Sequence, residues 1–352
     1  MNLLIDALVD VRTTTRLDIV EWNRLLLQAR YHGLLARLWL DLSDQGLCEA
    51  VPAAARRQLN AARIEAEANQ TTIRFEIDRV RTALCGLGIP VVLLKGGAYL
   101  AAGLPAARGR LSVDLDILVP RTSLSRVEGA LLAKGWRIQE VNDYDDKYYR
   151  QWTHELPPFW QPERETLLDV HHTIFPPVSG IKIDGNELLS SRRPLDNGLA
   201  ILQPCDLVLH SALHLFGEDP SNRLRDLVDL RDLIQHYSGQ SPEFWPDLVR
   251  RAQQLRVTWA LGYAAHHLGA IFGVPIPPAV RLAIVPRDRL RQAVTNRLIA
   301  SGIVGGLHDE AGPWVAVGQF LLYMRSHWIK MPPLLLVRHL WVKSRLRNGE
   351  RA

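Results

Sequence analysis

Cysteine is scarce in this chain. Three residues, Cys48, Cys85 and Cys205, are spread over 352 positions. That spacing excludes a disulfide framework and the paired-cysteine patterns of zinc sites, and it favours a reducing setting, expected to be the cytoplasm. Long apolar runs are missing too. With no stretch of 18 or more apolar residues, no membrane span is expected. The first sixteen residues, MNLLIDALVDVRTTTR, have no basic start and carry Asp6 and Asp10, so no signal peptide is expected. The nucleotide-binding loops with fixed signatures are also lacking. No glycine-rich loop ends in Gly-Lys-Ser/Thr, and no Gly-x-Gly-x-x-Gly opens a helix after a strand. Low-complexity tracts and internal repeats do not stand out.

What is present is a globular composition, 47% apolar, with a formal charge of +5. The length accommodates a sizeable core and more than one domain. The mild basicity favours anionic partners without selecting one. Apolar residues at helical spacing, among them Trp22, Leu25, Leu26, Ala29, Leu34 and Leu38, predict a helical start, with breaks at Gly33 and Gly46. A long helix charged on one side is predicted from Ala53 to about Leu87, stopped by Gly86, Gly88 and Pro90. Its basic residues read as a solvated face. From Pro204 the pattern turns helical again, with helices predicted over 206–215, 223–237 and 244–272.

Residues 91–120 hold the chemistry. A short apolar strand, 91–94, runs into Lys95-Gly96-Gly97, read as a turn before a helix starting at Ala98. A loop through Gly103, Pro105, Gly109 and Arg110 then leads to a second strand carrying Asp114 and Asp116. Two positions apart on a strand, both carboxylates share one face, with Leu115, Ile117 and Val119 on the other. Two such acids repel each other unless a cation neutralises them, and oxygen ligands suit Mg²⁺. The competing reading is a solvated edge strand. A third strand, around Leu167-Leu168-Asp169-Val170-His171, puts Asp169 and His171 on one face. Beside the second strand, Asp169 would give three carboxylates in one pocket, wide enough for one or two Mg²⁺ and a nucleoside triphosphate. Lys95 and Arg110 would bring positive charge to phosphates, and Gly96 and Gly97 would admit a close backbone approach. The glycine pair taken alone is equally a tight turn.

The Lys95-Gly96 pair, Arg110 four residues ahead of the Asp114-Leu115-Asp116 strand, and Asp169-Val170-His171 together resemble a bacterial family of uncharacterised nucleotidyltransferases within the DNA polymerase beta nucleotidyltransferase superfamily. The resemblance covers roughly residues 20–300. It is good over 91–120, fair at Asp169 and loose elsewhere. Val113 stands where such proteins often have Ser, with Ser112 one residue earlier. The resemblance implies an α+β fold: a small mixed nucleotidyltransferase-type sheet with helices, a helical N-terminal region (1–88), a core (89–200) and a helical C-terminal domain (201–352). It implies Asp114, Asp116 and Asp169 as catalytic metal ligands and Lys95, Gly96, Gly97 and Arg110 as the nucleotide-binding set. The co-substrate would be an NTP, and the acceptor a small molecule or peptide, natural-product peptide pathways being one setting of such proteins.

Other features carry blander readings. His210 and His214, four apart on a predicted helix with Asp226 and Asp229 nearby, read as packed histidines ahead of a metal site. Arg225 either closes the nucleotide pocket or pairs with Asp229 one turn on. His171 reads as a satisfied core histidine ahead of a ligand-side group or a general base. The basic tail, with Lys330, Arg338, Lys343, Arg345 and Arg347, either touches anionic lipid or covers the core, and Pro332-Pro333 divides it. No nucleic-acid recognition module is visible. Kinase-like phosphoryl transfer, and a nucleotide- or peptide-binding protein without catalysis, are the competing functions.

Overall fold

The computed structural model describes residues 2–139, 142–284, 288–304 and 313–349. Seven strands lie among them: β1 (Val92–Leu93), β2 (Asp114–Leu118), β3 (Arg137–Ile138), β4 (Phe159–Gln161), β5 (Thr166–His171), β6 (Arg193–Pro194) and β7 (Ala200–Ile201). They form one mixed sheet in the order β3-β4-β5-β2-β1-β7-β6. β2 is central, antiparallel to β1 and parallel to β5. Helices make up most of the rest, before and after the sheet, so the fold is α+β with helical N- and C-terminal regions.

The N-terminal helices are Leu3–Val9, Ile19–Tyr31 and Leu35–Asp44. The second starts with a reciprocal capping box between Asp18 and Glu21. Gly33 and Gly46, both at positive φ (65° and 67°), end the second and third helices. The long helix runs Ala53–Leu84 and closes in a short 3₁₀ turn before Gly88. Its polar side is not wholly solvated. Glu76 is fully buried and pairs with Arg164 at 2.5 Å. A lone buried carboxylate would be costly, and the ion pair from the β4–β5 connection compensates it.

Two predicted elements differ. Lys95-Gly96-Gly97 is not a turn ahead of a helix; it is the first turn of helix Lys95–Ala101. The predicted helix over 244–272 is two helices, Phe244–Gln254 and Thr258–Phe272. Arg256 adopts a left-handed backbone (φ 58°) between them, while Leu255 and Val257 on either side are buried. Burying both flanking side chains selects the reversal, which local propensity does not reveal. The helices Arg289–Ile303, Pro313–Lys330 and Pro333–Gly349 follow further along the chain. The side chains of Lys343, Arg345 and Arg347 in the basic tail lie outside the described residues. Among the described residues, no helix is long and apolar enough to cross a membrane.

Candidate active site

The site grows from the centre of the sheet. Leu115 and Ile117 of β2, with Val119 just beyond it, are fully buried, which anchors one face of that strand and turns Asp114 and Asp116 to the other. The parallel pairing of β2 with β5 sets Asp116 opposite Asp169. A one-residue slip would send every side chain of β5 to the wrong face; Leu168 and Val170, both fully buried, hold the register.

Lys95 is placed by its backbone. Leu94 continues β1 by donating to the Asp116 carbonyl (2.9 Å), and the next residue, Lys95, has φ 44°. A left-handed non-glycine backbone costs of order 1 kcal/mol or more and is held by its surroundings. Here it aims the ammonium at Asp116 Oδ1, 2.7 Å away. His171 Nε2 lies 2.9 Å from the same oxygen. A carboxylate only accepts, so Nε2 carries the proton. On the other side of the ring, Nδ1 is 3.5 Å from Glu155 Oε2, and His154 Nε2 is 3.9 Å from that same Glu155 oxygen.

These contacts define the electrostatics. Burial alone would raise the Asp116 carboxyl, yet Lys95 and His171 outweigh it and hold the group far below the usual carboxylate range. Burial pushes Asp169 up to about 7, helped by the charges of Asp116 and Glu155. Burial also raises Glu155, and burial with the Asp116 charge raises Asp114. Burial disfavours the charged form of His171, but its bond to Asp116 and the Glu155 charge lift it above its ordinary value. Four carboxylates thus face one ammonium and one imidazole, and three of the four, Asp114, Glu155 and Asp169, resist ionisation.

Gly96 and Gly97 are packing positions. A Cβ on Gly97 would stand 2.6 Å from Leu115 Cδ1, and one on Gly96 would collide with Ser112 Oγ and the Arg110 guanidinium. Arg110 faces inward: its Nε donates to Asp229 Oδ2 (2.8 Å) and its Nη1 to Ser112 Oγ (3.0 Å). Ser112 is held from the other side by Asn69, whose side-chain amide bonds the Ser112 N–H and carbonyl, both at 2.9 Å. Arg225 pairs with Asp229 at 3.1 Å, one turn away on helix Leu224–Gln240. Asp229 therefore joins two arginines, and Arg110 ties the loop before β2 to that helix.

Ligand atoms of Asp116, Asp169 and His171 lie within 4.8 Å of one another, as do those of His154, Glu155 and His171. Asp114 belongs to neither group among the described residues. His210 and His214 are also outside both; their rings stand 6.5 Å apart, and burial pushes His210 down to about 3, as expected for packed neutral histidines. Sequence reasoning missed Glu155 and His154. They lie in the segment 153–158, where Glu155 forms an isolated bridge with His171. The adjacent His-Glu pair ahead of Leu156-Pro157-Pro158 was the only local signal, and nothing in it pointed to β5.

Residues 18–273 match the family described as uncharacterised nucleotidyltransferase, and the chain belongs to that family. No curated protein matches the chain. The family places the chain among enzymes of nucleotidyl transfer, which act on a nucleoside triphosphate, and the clustered acids and histidines described above are candidate metal-binding groups.

Proposed function

We propose that this protein is a Mg²⁺-dependent nucleotidyltransferase that moves an NMP from an NTP to a hydroxyl of a small-molecule or peptide acceptor, releasing pyrophosphate. The observation that carries the reading is the register of Asp116 with Asp169 across β2 and β5, with Lys95 and His171 both on Asp116. The donor set fits a hard divalent cation. The ligands are carboxylate oxygens; burial, helped by the charges of Asp116 and Glu155, pushes Asp169 up to about 7, and such an ion would neutralise the charge of these acids. Asp116 and Asp169 would hold it with Asp114, while His171 orients Asp116, as carboxylate–imidazole partners commonly do at metal sites. When bound, the cation would supply charge neutralisation at the phosphates.

The rest falls to the chain's own side chains. Lys95 faces the triphosphate as a compact positive charge. Gly96, Gly97 and Arg110 form the wall that seats Lys95 and leave no room for bulk behind it. The acceptor oxygen bonds to the α-phosphorus. The bond from that phosphorus to the bridging oxygen breaks, and pyrophosphate leaves. The acceptor hydroxyl gives its proton to the carboxylate side of the site, where Asp169 stands. Positioning and charge account for most of such a reaction. The helical residues 201–352 shape the acceptor side.

Incubation of the protein with α-labelled NTPs, Mg²⁺ and a cell extract tests this. The α-label should appear on an acceptor, chelation should stop transfer, and Asp116→Asn should lower the rate by roughly 10²–10³-fold or more. Transfer of a γ-label in place of the α-label would sink the proposal.

A further inference from the structure

The last helices carry a surface that the catalytic reading does not use. Helix Pro313–Lys330 exposes Val317, Phe320, Leu321, Met324 and Trp328. Val317 and Leu321, Phe320 and Met324, and Met324 and Trp328 are each four residues apart, which sets the five along one side of the helix. Phe320 and Trp328 are 61% and 63% exposed. On the next helix, Pro333–Gly349, Leu334 and Val337 are 88% and 66% exposed. Helix Arg289–Ile303, packed against Pro313–Lys330, exposes Leu290 and Val294 one turn apart. Single exposed apolar residues need no explanation, but successive stripes on neighbouring helices do.

Charge selects what covers them. Residues 281–349 contain eleven Lys and Arg against three Asp and Glu, a net +8, whereas the whole chain carries +5 and the remainder is therefore −3. From 313 to 349 there are six basic residues and no acid. A second copy docking on the same face would oppose two such stretches, because a two-fold contact sets like against like. Basic residues together with Trp, Phe, Met and Leu in one helical stretch suit an anionic lipid surface, where aromatic rings settle at the headgroup level. Leu321 and Trp328 also border a groove of about 710 Å³ shared with Trp259, Tyr263 and Leu298. Arg325 lies in it, 5.1 Å from the Tyr263 ring centroid. An apolar groove with a guanidinium in its wall has the make-up to take an acyl chain beside a negative headgroup.

We infer that the C-terminal helices dock the protein, peripherally, on a bilayer containing anionic lipid. The docked region touches the segment that leads to the active site. The His339 ring lies 4.6 Å from that of Tyr148 on helix Asp143–Trp152. Immediately after that helix, Thr153 Oγ1 donates to the carbonyls of both Tyr149 and Glu155. Lipid binding would thus bring the site close to acceptors that reside at a membrane.

The test is flotation of the full chain with vesicles of phosphatidylcholine alone or mixed with phosphatidylglycerol. The protein should float with the mixed vesicles and much less with phosphatidylcholine, and added salt should weaken the binding. Phe320→Glu combined with Trp328→Glu should lower the bound fraction roughly ten-fold or more. Both positions are exposed, so the variant should melt near the parent temperature. Ile19→Glu, at an exposed apolar position of the N-terminal region, should bind as the parent does. Asp116→Asn should float like the parent, which separates this result from the fate of the catalytic reading. Failure to float with phosphatidylglycerol vesicles at low salt would overturn the inference. So would unchanged flotation of the double variant, or self-association or capture of an acidic protein that the double variant abolishes while lipid binding is absent.

Discussion

Asp116 Oδ1 accepts two hydrogen bonds, from Lys95 and His171, and this one oxygen organises the site. Its strong acidity has a local cause: two positive partners outweigh the burial of the carboxyl. His171 in turn stands between Asp116 and Glu155, so its ring is fixed from both sides. A side chain that orients a ligand without being one is worth about 10–100-fold in metal affinity. His171→Ala is accordingly expected to weaken Mn²⁺ or Mg²⁺ binding by that factor. Titration calorimetry of the metal reads it directly. Transfer by this variant should recover at high metal concentration, which a merely unfolded protein would not do.

At the scale of elements, the seam between helix Lys95–Ala101 and β2 is tightly packed. Gly97 lies against Leu115 so closely that one methyl group would overlap it. Leu115 is fully buried in the sheet and has little room to retreat. Overpacking of this kind typically costs about 1–3 kcal/mol. Gly97→Ala should therefore lower the urea midpoint by the equivalent of that range without changing the slope. It should also disturb Lys95, since the same helix turn carries both. The positive φ of Lys95 shows that the turn is already held away from its relaxed backbone.

Over the whole molecule, the core contains histidines whose burial disfavours the charged form. His267 is buried and stacked on Phe216, ring centroids 5.8 Å apart, and burial lowers it to about 3 from an ordinary 6.5. Burial holds His214 down as well, and His210 at about 3. Between pH 6.5 and 3 the unfolded chain binds protons at His210 and His267 and the folded chain does not. Stability therefore rises with pH across that window and is lost as pH falls through it. Unfolding followed from pH 7 to pH 4 should show proton uptake and a falling urea midpoint. His267→Leu should make that decline shallower.

The alternation of acids and apolar residues along 114–119, and Asp169 two residues before His171, was legible because strand periodicity alone puts like side chains on one face. The helical ends and the stops at Gly33, Gly46 and Gly88 were legible for the same kind of reason, since glycine accepts backbone angles that other residues resist. Only the tertiary structure decided that Asp116 and Asp169 share a register, because strand pairing joins segments separated by a long stretch of chain. It alone brought Glu155 to His171 through a single isolated bridge, which has no periodicity to read. It alone set Arg110 against Asp229, since which helix lies behind that loop is not written in the local sequence. Local sequence determined which residues face together; the pairing of distant elements determined which of them meet.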